Sequence, residues 1–433
     1  MLRTLDLRGR DRSRPLQLPR PDLGAEGPVA DVRRILAEVR SRGDAAVREF
    51  TRDFDKVEIG ALRVEEAALH HALESIPSEL RAALEEARDS ITAFHRHRGA
   101  LAERYERDGI AVRHLEIPVE RAGVYAPGGR AKYPSSLLMT ALPAMVAGVE
   151  SIACCAPPGP DGDPPVELLA ACALAGVDEV YRIGGAQAIA AMAYGTESIP
   201  KVDVIVGPGS KWVSIAQREV RGVVGVPAAF AGPSEVVVVA DATTPVEWAA
   251  MDVIVQAEHG PDGLAWLITW SEEVAREVAA AVGRLVEASP RRAETESTLE
   301  SGGYAVIVDS PEEAIAVSNA IAPEHLELLV EDPESLLGLV RHAGVVFMGP
   351  LAPAAVGDYL AGPSHVLPTF ETARFASVLG VEDFVRRVHA VEVDRRGIAR
   401  VAGHVAAIAN AEGLPAHAEA ALLRVGAPTW SKS

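Results

Sequence analysis

The sequence predicts an α/β protein with two doubly wound, Rossmann-like parallel-sheet domains and small helical extensions at its N- and C-terminal ends. Three observations carry this expectation. The 433-residue chain is too long for one compact core. Short apolar runs closed by glycine and followed by small-residue helical stretches recur after Glu116. These runs form two sets: AGVYAPGG, SIACCAPPG, EVYRIGGAQAIAAMAYG and KVDVIVGPGSKWVSIAQREV, then EVVVVAD, AWLITW, YAVIVDS and GVVFMG. The dinucleotide fingerprint GxGxxG is absent, so no cofactor can be argued from that motif.

Taken in order, residues 1–27 are rich in Arg and Pro and read as an arm. Pro28 to Phe54 reads as one amphipathic helix, with Val32, Ile35, Leu36, Val39 and Val47 at helical spacing. The same theme runs from Ala61 to Arg107, with Pro77 as a break and His70, His71, His95 and His97 on solvated faces. The strand and helix alternation follows. From Val381 the tail carries an amphipathic pattern, VEDFVRRVHAVEV, then the helix-like RGIARVAGHVAAIANAEG. It is too short to fold alone and is expected to pack on a larger body, its own or a partner's. The expected partition has residues 28–124 and 235–380 in a larger domain, 125–234 inserted, and 381–433 as the tail.

Bulk chemistry narrows the function. Asp plus Glu outnumber Lys plus Arg by 61 to 42, a net charge of −19 that repels phosphate backbones and argues against nucleic acid. Cys154, Cys155 and Cys172 lie in apolar or small-residue runs, as core thiols do, and no disulfide framework is expected. The first residues lack the apolar stretch of a signal peptide, and no run is long enough to span a membrane, so the cytoplasm is expected.

Four distant segments could form one metal site with a catalytic pair. In VIVQAEHG, Gln256 and His259 are three apart on one helical face and could reach a single ion, with Glu258 facing away; alone, QAEH is more often a capping or surface helix end. In IAPEHLELL, Pro323 presets a helical turn with Glu324 and His325 at its N-terminus, suited to a base and a water-activating carboxylate, or else a plain first-turn acid beside a surface His. GPLAPAAVGDYLAGPSHVLPT reads as a long irregular loop in which Asp358 offers an anionic ligand and His365 a hydrogen bond to substrate; a surface loop is the alternative. EGLPAH supplies Glu412 and His417. Ser234 precedes a buried strand, and the glycines of GGAQA and GPGSK stand between strand ends and helix starts, where backbone amides cradle a pyrophosphate or simply turn the chain.

In combination these segments resemble the histidinol dehydrogenase family over nearly the whole length, from RGDAAVREFTRDFD through VYAPGGRAKYPSSLLM, GGAQAIAA, VGPGS, AGPSEV, QAEHGPD, APEHLEL, GDYLAGPSHVLPT and TARFAS to EGLPAH. The resemblance implies oxidation of L-histidinol to the aldehyde and then to L-histidine, with two NAD in succession and one Zn2+ per subunit. Gln256, His259, Asp358 and His417 would hold the metal. The family being a dimer with crossed tails, His417 would come from a neighbouring subunit. His325 would be the general base, and Glu324 would activate water. These residues would line the substrate site together with Ser234, His365 and Glu412; NAD would lie against Tyr125, Gln187 and Ser210. The family usually carries Asn at positions 210 and 364, where this chain has Ser. Another polar alcohol as substrate, a metal-dependent hydrolase, and a non-catalytic metal- or ligand-binding protein are the alternatives.

Overall fold

The computed structural model describes residues 1–11, 16–20, 28–97, 104–128, 132–227, 232, 234–258, 260 and 263–426. The chain divides into two compact units, residues 1–96 with 119–384, and residues 97–118 with 385–433.

Two all-parallel sheets organise the first unit, as the alternating runs predicted. One has six strands in the spatial order Arg3–Asp6, Gly303–Ile307, Leu264–Thr269, Glu235–Ala240, His325–Leu329 and Val345–Met348. The other has four, in the order Glu179–Arg182, Ser151–Ala156, Arg121–Tyr125 and Val204–Val206. Their central strands are apolar without alternation because helices cover both faces. Every residue of Glu235–Ala240 is buried, the leading glutamate included.

The expected single helix over Pro28–Phe54 is two helices, Val29–Arg42 and Asp44–Asp55. Gly43 separates them at φ 55°, and a side chain there would collide with the Glu197 carboxylate, which accepts a hydrogen bond from the Asp44 N–H at 2.8 Å. Pro77 does divide Glu66–Ser75 from Ser78–Arg96. All four helices pack into the cores of the four-stranded sheet. Val32, Ile35 and Val39 meet Tyr125, Cys155 and Ile205, while Leu69, Leu84 and Ile91 meet Ala122, Cys154 and Val206. Residues 28–96 therefore share the core of the smaller sheet, a departure from the expected partition. His95 also departs from expectation: it is buried, and burial pushes its imidazole below the ordinary value. The three cysteines are buried thiols as expected, with Cys155 and Cys172 pushed up by desolvation.

The second unit joins both ends of its sequence in one antiparallel sheet. Val385–Val393 pairs along its full length with Ile110–Pro118, which also pairs with Arg104–Arg107. The helical periodicity read up to Arg107 is thus overridden by pairing, and the C-terminal extension is mixed rather than purely helical. The helix Arg395–Ala411 forms as predicted, capped by the Asp394 carboxylate on the Gly397 N–H at 2.6 Å, and Pro415–Leu422 follows. No helix among the described residues is long and apolar enough to cross a membrane.

Candidate active site

Glu324 and His325 stand at the start of an interior strand, not at a helix N-terminus. Ala322, at φ 52°, ends the helix Pro311–Ile321, and Pro323 cannot continue it. His325–Leu329 then runs parallel to Glu235–Ala240, with His325 level with Val236. The backbone of Glu235 holds both members: its N–H donates to Glu324 Oε2 at 3.0 Å, and its carbonyl accepts from His325 Nδ1 at 3.2 Å. A carbonyl can only accept, so Nδ1 carries a proton.

His325 Nε2 lies 3.4 Å from Asp358 Oδ1. A proton taken up at Nε2 is therefore met by a carboxylate. Burial opposes charge on this imidazole, but Glu324 and Asp358 outweigh it and raise the pKa above its ordinary value. Burial raises Glu324 to about 7, against the lowering effects of His325 and the Glu235 N–H. Both groups are thus shifted upward, Glu324 towards neutrality. The Phe347 ring stacks on the imidazole, with centroids 6.1 Å apart and planes at 12°. Beside it is a cavity of about 60 Å³ bordered by His325, Phe347, Asp358, Ser364 and His365.

Asp358 belongs to a short helix, Ala354–Tyr359, where the sequence suggested an irregular loop. The run AAVGDY following Pro353 is short but helix-compatible, and Glu327 Oε1 accepts from the Ala354 N–H at 3.1 Å. Asp252 lies against this same buried Glu327, and desolvation raises both carboxyls. His365 donates from Nδ1 to the Asp358 carbonyl at 2.9 Å, and its Nε2 is 3.2 Å from Ser136 Oγ. Ser364 is buried; its hydroxyl donates to the Met139 carbonyl at 2.9 Å and accepts from the Val366 N–H at 3.2 Å. Serine at 364 is thereby fully accommodated.

Gln256 is buried in the last turn of Val246–Ala257, and Glu258, expected to be solvated, is a half-buried helix cap. His259 lies outside the described residues. Among the described residues no three His, Cys, Asp or Glu side chains converge as a metal centre. Ser234 is half-buried, and its carbonyl accepts from the Leu264 N–H at 3.0 Å. Glu412 and His417 are exposed in the second unit, at the cap of Arg395–Ala411 and within Pro415–Leu422.

In the smaller sheet, Tyr125 ends a strand, and its hydroxyl accepts from the Gly185 N–H at 3.1 Å. Gln187, in the first turn of Gly185–Tyr194, is buried, and among the described residues its Oε1 has no hydrogen-bond partner. Gly207, at φ 114°, presses against the Tyr125 carbonyl where a Cβ would collide, which brings the GPGS loop beside Tyr125. Ser210 is the exposed residue preceding Lys211–Val220. Glu235, Glu327, Asp252 and Phe347 were missed from sequence; a glutamate inside the apolar runs EVVVVA and HLELL was the signal available.

The family model for histidinol dehydrogenase matches residues 18–425. A histidinol dehydrogenase from Synechococcus sp. is 49% identical over 398 residues, covering 91% of this chain and 92% of that protein. One from Bacillus cereus is 46% identical, covering 91% of each. A crystal structure of histidinol dehydrogenase from Elizabethkingia anophelis superimposes with a TM-score of 0.93 at 32% identity, covering 98% of each chain. The fold and these relatives are those of an oxidoreductase. The chain belongs to the histidinol dehydrogenase family.

Proposed function

We propose that the enzyme oxidises L-histidinol through L-histidinal to L-histidine, in the last steps of histidine biosynthesis, with two NAD consumed and one Zn2+ per subunit. The observation that carries this reading is the buried Glu324–His325 pair, clamped by the backbone N–H and carbonyl of Glu235 with Nε2 turned to Asp358.

The residues fit both absent groups. An amide, a carboxylate and two imidazoles suit Zn2+, with Gln256, His259, Asp358 and the partner subunit's His417 as its ligands. The unsatisfied Gln187 Oε1 and the glycine loop beside Tyr125 suit a dinucleotide, with Ser210 at its edge and residues 125–234 as the NAD region. When bound, NAD accepts the hydride of each step and Zn2+ orients the substrate nitrogens and polarises its oxygen.

His325 accepts the alcohol proton at Nε2, and Asp358 stabilises the imidazolium that forms. Its Nδ1–H stays on the Glu235 carbonyl throughout, which holds the ring plane. Glu324, ionised near and above pH 7, draws a proton from the water that attacks the aldehyde. Phe347 and the enclosing loops keep bulk water off the imidazole. Ser234, His365 and Glu412 contact the substrate, with Glu412 and the tail crossing to the second subunit of a homodimer. A cytoplasmic setting suits such biosynthetic chemistry.

Purified protein supplied with histidinol, NAD and Zn2+ should yield two NADH per histidine. Turnover of another polar alcohol without histidinol oxidation would move the substrate assignment; turnover independent of NAD would overturn the reading.

A further inference from the structure

The Arg-rich arm has no role in the chemistry above, yet part of it ends beneath the dyad. Leu16 and Leu18 pack on the core of the six-stranded sheet and anchor the segment 16–20. Arg20 then reaches Glu235, with Nη1 3.2 Å from Oε1; the arginine side chain is 17% exposed and the glutamate 0%. Glu235 Oε2 accepts from the Phe370 N–H at 3.3 Å. Arg20 also donates to the Ile321 carbonyl, at the end of the helix that leads into Glu324. Glu371 is a further acid near it, at 3.6 Å.

We propose that Arg20 and Glu235 are positioning residues for proton transfer: their ion pair fixes the strand start whose N–H and carbonyl clamp Glu324 and His325. The physical reason lies in burial. A carboxylate with no solvent exposure needs a cation, and once unpaired it must protonate or move. Movement at residue 235 displaces the two hydrogen-bonding groups that orient the dyad, and misplacement by about 1 Å costs on the order of 10²-fold in rate. Desolvation opposes charge on the Glu235 carboxyl, and Arg20 counters it.

The kinetic part of the test rests on the proposed dehydrogenase reading; the spectroscopic part does not. Arg20→Met should lower kcat for alcohol and aldehyde oxidation by about 30-fold with KM within about two-fold, because orientation rather than substrate binding is lost. Arg20→Lys, and Arg20→Met combined with Glu235→Gln, should each recover to within about five-fold of wild type, since one restores a cation and the other removes the stranded charge. Ring 15N shifts of His325, assigned by their loss in His325→Asn, should show the Nδ1–H tautomer in wild type and a tautomer mixture in Arg20→Met. An unchanged kcat, a loss that follows only the folded fraction, failure of the double variant to recover, or an unaltered tautomer would overturn the proposal. Absence of histidinol oxidation in wild type, with the tautomer responding to Arg20, would instead sink the dehydrogenase reading and leave the clamp standing.

Discussion

The two parallel sheets of the first unit use similar apolar strands and bury their acids to different degrees. In the four-stranded sheet the strand acid is Glu179, half-buried and gripped by Arg121, with one contact, Nη1 to Oε1, at 2.8 Å. Arg121 holds its carboxyl down at about 2. In the six-stranded sheet, Glu235 and Glu327 are fully covered and Glu324 adjoins them; burial lifts Glu235 to about 8 and Glu324 to about 7. One sheet pairs its acid for stability. The other buries its acids, with Arg20 on Glu235 and only a main-chain N–H of Glu235 on Glu324, around the dyad proposed to move protons.

Substituting His325 with Asn tests this contrast most severely. Alcohol oxidation should fall by about 10³-fold while the fold is kept, as followed by NADH formation and circular dichroism. Retention of a tenth of the wild-type rate would remove the imidazole from its assigned role.

Glu324→Gln should slow aldehyde oxidation by about 10²-fold and leave the alcohol step within a few-fold. The same variant reports on burial. The carboxyl ionises near 4.5 when unfolded and near 7 when folded, so metal-free native protein is favoured below 4.5 and loses stability as pH rises from 4.5 to 7. That loss amounts to about 3 kcal/mol. Urea titrations of the metal-free Gln variant across this window should lack the slope; an identical slope would place the titration elsewhere.

A smaller effect is expected at Gly357, where an added methyl would meet the Phe347 ring that stacks on His325. Gly357→Ala should cost about 1–3 kcal/mol in denaturant unfolding and lower kcat several-fold. Normal stability together with a normal kcat would show that the ring has room to move.

Least affected in turnover should be Arg121→Met in the smaller sheet, with kcat within about two-fold of wild type. Its signature is acid sensitivity. Glu179 is depressed, so its pairing stabilises the native protein above pH 4.5 and is lost as pH falls towards 2. Thermal melts between these values should show a shallower decline for the variant than for wild type.

Much of this arrangement was legible in the sequence. The two sets of apolar runs marked both sheets, Pro77 marked a helix break, and Glu324, His325 and Asp358 were singled out and do meet. The local setting of the dyad was not legible, because APEHLELL suits either a proline-started helix or a buried strand until its neighbours are known. Val385–Val393 was hidden for the same reason, since its conformation depends on a partner strand about 275 positions earlier. The pairing of Arg20 with Glu235 spans 215 residues and leaves no periodic trace.

His365 bridges two elements, with Nε2 beside Ser136 in the helix Pro134–Ala147 and Nδ1 on the Asp358 main chain. Any tilt of that helix, which packs in the core of the smaller sheet, is therefore felt at the main chain of the very acid that faces His325. The two halves of the first unit share a mechanical linkage only a single side chain long.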